Sequence, residues 1–197
     1  MEPFGLVGRL LDVIELDIAP MTLLGVERGC KLFGAAILRK SDLQLVLAET
    51  NNEIENPLWH GEVQAIKRYF ELDPKTRPVP RDCVFLATHE PCTLCLSAIT
   101  WSGFDNFFYL FSHEDSRDSF HIPHDLRILK EVFGLSPGAY HAHNAYWHSY
   151  SLRRLVDSLD PTTQAPLQTR IESLRARYQQ LSEIYQSQKG NAGIPLD

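Results

Sequence analysis

What this sequence lacks narrows what it can be. No run of apolar residues approaches the roughly 20 that a membrane-crossing helix needs, which excludes a helical membrane protein from the expectations. The start, Met1-Glu2-Pro3-Phe4-Gly5, has neither the basic residues nor the apolar stretch of a secretory signal, so a cytoplasmic location is expected. Basic charge is scarce: 19 Lys and Arg stand against 25 Asp and Glu, a net charge of −6. Neutralising a phosphate backbone takes clustered cations, so nucleic acid is disfavoured as the main partner. There are only four cysteines, two of them in Cys92-Thr93-Leu94-Cys95. In a reducing compartment that usage points to metal or redox chemistry more than to disulfides. Internal repeats and low-complexity tracts are missing as well. What is present is an ordinary globular composition, 44% hydrophobic and 22% charged, over 197 residues, a length that suits one domain with a large core.

The periodicities give a coarse order of elements. Leu6, Leu10, Val13, Ile14 and Ile18 recur at helical spacing, with Pro20 expected to help end the helix. Residues 32–38 and 43–48, split by Arg39-Lys40-Ser41-Asp42, read as a hairpin, and the polar stretch 50–59 as a loop. A helix is expected over about 61–70, and a surface connection at Pro74, Pro78 and Pro80. There follow an apolar strand at 83–88, a helix from about Pro91 to Trp101, and a strand at 106–111 apolar enough to be buried on both faces. A further helix over 125–133 is closed by Gly134. Residues 140–150 hold three histidines and four aromatics and fit no single element. The segment from Asp160 to Pro166 reads as a linker. Beyond it Ile171, Leu174, Tyr178, Leu181 and Tyr185 mark an amphipathic helix over about 169–188, and 190–197 is expected to fray. The sum is an α/β layered fold around a mixed sheet, with a domain at 1–158 followed by a linker, C-terminal helix and flexible tail at 159–197.

Two short segments carry chemistry. Zinc prefers nitrogen and thiolate ligands, and a catalytic site supplies three of them while leaving a position open. His60, Cys92 and Cys95 make that count. Cys92 and Cys95, three apart at an expected helix start, project from one face of one turn, where the helix N-terminus favours thiolate over thiol. Pro91 suits the first helical turn, where its missing N–H costs nothing. Glu62 follows His60 by two residues, which sets a carboxylate beside the metal without making it the nearest ligand. A carboxylate so placed can take a proton from water and pass it to a leaving amine. A CxxC alone is as often redox-active or structural, and a lone histidine is usually unremarkable; five residues in this order are much harder to reach by accident.

The order His60-x-Glu62 followed by Pro91-Cys92-x-x-Cys95 resembles the cytidine-deaminase-like superfamily of zinc enzymes. Residues 88–101, Thr-His-Glu-Pro-Cys-Thr-Leu-Cys-Leu-Ser-Ala-Ile-Thr-Trp, are similar to the guanine deaminase branch, which also holds fungal cytosine deaminase and bacterial tRNA adenosine deaminases. The likeness covers roughly residues 34–120. It implies a three-layer α/β/α sandwich with a five-stranded mixed sheet and a homodimer. It further implies Zn2+ on His60, Cys92 and Cys95, with Glu62 moving protons while water displaces ammonia from an aminated ring. The family sets an asparagine upstream of the metal histidine against the base, a role for Asn51 or Asn52, although the loop to His60 is about two residues shorter than the family pattern. Trp101 is implied as an apolar wall for the ring. Asp118, in Asp118-Ser119-Phe120, matches an acidic residue of guanine deaminases and reads equally as a solvated loop charge.

The leading function is deamination of a free nucleobase or nucleoside-sized heterocycle, guanine-like purines first and cytosine-like pyrimidines second. A tRNA or polynucleotide editor is the alternative, with the acidic balance against it. A catalytically silent, zinc-stabilised scaffold is the third, against which Glu62 counts. Cys30 and Cys83 read as small buried hydrophobes. His121, His124, His141, His143 and His148 lack ligand spacing for a second metal, with His141 and His143 within conceivable reach of the pocket.

Overall fold

The computed structural model describes residues 3–136 and 139–196. Asp197, the end of the tail expected to fray, lies outside the described residues.

The chain begins with helix α1 (Pro3–Val13), a π-helical turn (Ile14–Ile18) and α2 (Ala19–Glu27), which run on without a break. Pro20 does not end this helix, contrary to the sequence expectation. Proline lacks an N–H and its ring collides with the carbonyl four residues earlier. The π-turn removes that collision by widening the spiral, and the Ala19 N–H reaches back five residues to the Ile14 carbonyl. Leu10, Leu11, Val13, Ile14, Ile18 and Ala19 are fully buried along it, which fixes the helix face against the sheet.

Strands β1 (Gly34–Arg39) and β2 (Leu45–Thr50) form the antiparallel hairpin. Helix α3 (Gly61–Glu71) leads to β3 (Cys83–His89), which pairs antiparallel with β1. Helix α4 (Thr93–Trp101) crosses to β4 (Asn106–Phe111), parallel to β3. Two short helices, α5 (His113–Asp118) and α6 (His124–Glu131), precede β5 (His148–Ser151), which adds parallel to β4. The five-stranded mixed sheet has the order β2-β1-β3-β4-β5. Helix α7 (Leu152–Asp157) and the long α8 (Pro161–Gln188) are the last helices of the described residues.

Strand alternation divides the core in two. Ala36, Leu38, Val84, Leu86, Phe108 and Leu110 face α1, α2, α7 and α8 on one side of the sheet. Ala35, Ile37, Cys83, Phe85, Ala87, Phe107 and Tyr109 face α3 and α4 on the other. The architecture is the three-layer α/β/α sandwich that the resemblance implied. Cys30 and Cys83 are buried.

Helix α8 starts eight residues earlier than its apolar stripe alone indicates. Asp160 caps it by accepting hydrogen bonds from the N–H groups of Thr162 (3.1 Å) and Thr163 (3.2 Å), and Pro161 takes the first helical position. The expected linker is therefore the first turns of the helix, with Pro166 inside it forfeiting one backbone bond. Leu167, Ile171, Leu174, Tyr178, Leu181 and Tyr185 are buried in the same cluster as α1 and α2. Past α8 the chain turns back at Gly190 and Gly193, both with positive φ, and buries Ile194. Within residues 190–196 Ile194 is the anchor, and most of the others are exposed.

Candidate active site

The N-termini of α3 and α4 converge at the carboxyl end of β3. His60 is the N-cap of α3 and Cys92 the N-cap of α4, both with extended backbone and with their side chains free of capping bonds. Pro91 consequently lies before the helix, not in its first turn. The amides of Gln64 and Leu96 close the first helical bonds onto His60 O and Cys92 O, each at 2.8 Å. The side chains of both N-caps are left to point at one another in the positive field of two helix N-termini.

His60 Nδ1 lies 3.5 Å from Cys92 Sγ and 3.7 Å from Cys95 Sγ, and the two sulfurs are 3.5 Å apart. Tetrahedral zinc, with bonds of about 2.3 Å to sulfur and 2.0–2.1 Å to nitrogen, sets S···S near 3.8 Å and N···S near 3.6 Å. The donor set and its spacing fit zinc with one corner to spare. Among the described residues these three form the one group of three or more His, Cys, Asp or Glu whose ligand atoms lie close enough together to hold a metal ion. Glu62, in the first turn of α3, brings Oε2 to 3.3 Å from Cys95 Sγ without joining the ligand triangle.

Charge at this cluster is strongly coupled. Cys92 is driven well below the ordinary thiol range, first by its hydrogen bond with Cys95 and then by His60, against the opposing effect of burial. Burial lowers the His60 pKa, but the hydrogen bond and charge of Cys92 outweigh it and push the imidazole up to about 9. Burial raises Glu62 to about 7, with the neighbouring Cys92 thiolate adding to the effect.

Several contacts hold the two N-termini. A Cβ on Gly61 would lie 2.7 Å from Gly34 Cα and 3.0 Å from Phe33 O, so only glycine lets α3 approach β1 this closely. Asn51 Oδ1 accepts from Gly61 N at 2.5 Å, and Asn51 Nδ2 donates to Glu53 Oε2 at 3.0 Å. Glu53 also accepts from the backbone N–H and the ammonium of Lys31. On the other side, Glu90 accepts the His113 N–H at 3.0 Å and the Tyr140 hydroxyl, while His113 Nε2 sits 3.1 Å from Pro91 O.

Beside the metal cluster opens a cavity of about 360 Å³. Phe33, His60, Cys92 and Asp125 line both this cavity and the narrow nook that holds Glu62 and Cys95. Its outer walls are apolar, with Leu58, Leu94, Ile122, Ile128, Ile194 and Leu196 among them, and Lys31 and Glu53 are the buried ion pair in its lining. Burial raises the Asp125 carboxyl to about 7, and the Cys92 charge adds to the rise.

Of the residues singled out by sequence, His60, Glu62, Cys92 and Cys95 come together. The others do not join them. Asn51 is buried with its amide committed to Gly61 and Glu53. Asn52 donates to Glu55 and lines a separate groove. Trp101 ends α4, 91% exposed, about 12 Å along the helix axis from its first residue. Asp118 is exposed and ion-paired with Arg117. His141 and His143 are exposed and do not line the cavity. Asp125, Lys31, Glu53 and the tail at Ile194 were missed by sequence reading. The one available signal was for Asp125, at the first turn of a helix already expected.

Residues 26–111 match the family model "Cytidine and deoxycytidylate deaminase zinc-binding region". A guanine deaminase of Bacillus subtilis (strain 168) is 30% identical over 96 residues, covering 44% of this chain and 54% of that protein; the chain spans about half the length of that curated relative. A crystal structure of a mutant protein in complex with 8-azaguanine superposes with a TM-score of 0.52 at 17% identity, over 89% of this chain and 84% of that one. A guanine deaminase from Nitrosomonas europaea gives a TM-score of 0.48 at 16% identity, over 81% of each chain. All three zinc-suited donors and Glu62 lie within residues 26–111, the part of the chain that matches the cytidine and deoxycytidylate deaminase zinc-binding region.

Proposed function

We propose that this chain is a zinc-dependent hydrolase of cyclic amidines. It would release ammonia from a free nucleobase or a nucleoside-sized aminated heterocycle, with guanine-like purines first and cytosine-like pyrimidines second. The observation that carries the reading is a buried carboxylate, Glu62, set 3.3 Å from Cys95 in a nook that shares four lining residues with a cavity of about 360 Å³. The guanine deaminase relative supports the order of substrates.

Each residue has a definite task in this reading. His60, Cys92 and Cys95 hold the ion. Bound zinc would supply the Lewis acidity that makes water nucleophilic near neutral pH. Glu62 accepts one proton from the attacking water and passes it to the ring nitrogen, then carries the water's second proton to the departing amine. Water and an aminated ring carbon become a ring carbonyl and ammonia. A carboxyl pushed to about 7 by burial is suited to both halves of that transfer. Phe33, Leu94 and Ile122 give the ring apolar walls, and Asp125 presents a carboxyl to its polar edge. Asn51 acts as a support by holding the Gly61 amide and thereby the start of α3.

The same reading assigns the chemistry to residues 1–158 and closure of the cavity to 159–197, in a cytoplasmic homodimer. The exposed indole of Trp101 is apolar area that a second copy would cover. The test is ammonia release by purified, zinc-replete protein against guanine, adenine, cytosine, their nucleosides, pterins and aminotriazines. Turnover of guanine above the others supports the proposal. Silence over the panel with zinc bound refutes it.

A further inference from the structure

The stretch that fits no single element in the sequence is a hairpin built around two histidines. Ser149 N donates to Ala142 O at 2.8 Å, His143 and His148 face each other across an antiparallel bridge, and Asn144 N donates to Trp147 O at 3.2 Å. The connecting turn is pinned from inside. Asn144 Oδ1 accepts from the N–H groups of Tyr146 (2.9 Å) and Trp147 (3.1 Å). Trp147 is buried edge-on to Phe107, and its Nε1 donates to Thr100 Oγ1 at 2.8 Å. His148 opens β5 and donates its N–H to Asp105 O at 3.1 Å, in register with Asn106 of β4. Both backbones are thus fixed before any ligand arrives.

We propose that His143 and His148 form a second metal site, a two-imidazole chelate for a late first-row divalent ion, copper or nickel. Their Nδ1 atoms lie 3.0 Å apart and the rings 5.1 Å apart. Two imidazole nitrogens at that distance either share one proton or turn both lone pairs on one ion. Metal–nitrogen bonds of about 2.0–2.1 Å to donors 3.0 Å apart subtend about 91–97°. That is the angle between adjacent positions of a tetragonal or octahedral ion. Imidazole suits both copper and nickel, and copper heads the affinity order. Both side chains are exposed, so water completes the shell.

The site is separate from the cysteine cluster. His148 pairs with the first residue of β4, whereas Cys92 follows the last residue of the neighbouring parallel strand β3. A strand of about six residues, roughly 20 Å, lies between the two ends. The hairpin offers no thiolate, so its ion preference is set by angle and by imidazole alone.

The test is a titration of zinc-loaded full-length protein with copper chloride, followed by electron paramagnetic resonance and by Trp147 quenching, on the native chain and on His143→Ala, His148→Ala and His148→Gln. Native protein is expected to take up one copper equivalent with a tetragonal signal split by two nitrogens. Each variant is expected to melt as the native chain does, lose that splitting and bind at least about tenfold more weakly. Equal copper affinity and signal in the variants, or no copper uptake by native protein, overturns the site.

Discussion

Gly61 and Gly34 meet backbone to backbone: a methyl group on Gly61 would fall 2.7 Å from Gly34 Cα. This contact seats the N-terminus of α3 on β1, and it aims His60 and Glu62 at the cysteines of α4. Gly61→Ala should therefore act on the metal as well as on the fold. Overpacking costs about 1–3 kcal/mol, and zinc content per chain should fall with it. Thermal melts and metal analysis of the purified variant check both; full zinc occupancy at native stability would show that the contact is slack.

Asp125→Asn keeps the volume and removes the ionisable group from the cavity wall. Loss of a buried hydrogen bond to the substrate is worth about 1–3 kcal/mol. The expected result is a fall in kcat/KM of about 5- to 150-fold with zinc content unchanged. Steady-state kinetics on the best substrate decide the matter, since unaltered kcat/KM would remove Asp125 from substrate contact.

Removing the metal should loosen the two helix N-termini. An ion bound a thousandfold above its dissociation constant stabilises by about 4 kcal/mol. In a chain of this length the corresponding drop in Tm is on the order of 10 °C. Melts before and after dialysis against a chelator, with zinc added back, measure it.

His89 governs part of the acid response. Its ring is buried among Phe33, Phe111, Phe120 and Tyr178, with Nδ1 2.9 Å from Thr88 Oγ1. Burial lowers its pKa from 6.5 to about 3. A group whose pKa is depressed on folding binds more protons when unfolded. Its contribution is complete above pH 6.5 and is lost as pH falls towards 3, at up to roughly 1.4 kcal/mol per unit. His89→Leu should flatten the stability profile across that window. Denaturant melts at pH 7, 5.5 and 4 read the slope, which should stay steep if other groups control it.

The metal cluster was legible in the sequence because its chemistry is local. Cys92 and Cys95 share one turn, His60 and Glu62 another, and each pair starts a helix whose apolar spacing is plain. The cavity was not legible. Lys31, Glu53, Asp125 and Ile194 come from four distant segments, and no spacing rule joins them. Asn51 lies in the neighbourhood that the sequence indicated, with its amide oxygen on Gly61 N and its amide nitrogen on Glu53. The fold shows the same division. The apolar runs of β1, β3 and β4 announce themselves, whereas β5 is the four residues His-Ser-Tyr-Ser and depends on pairing with β4. Pro20 and Pro161 misled in opposite ways: one sits inside a helix beside a π-turn, and the other begins a helix behind the Asp160 cap.

Glu62→Gln tests the central claim most directly. The amide preserves the size of the side chain beside Cys95 but cannot cycle a proton. One zinc per chain, a native melt and ammonia release reduced by at least about a hundredfold are the predicted results. Ammonia release at the native rate from a zinc-loaded Glu62→Gln protein would contradict the account.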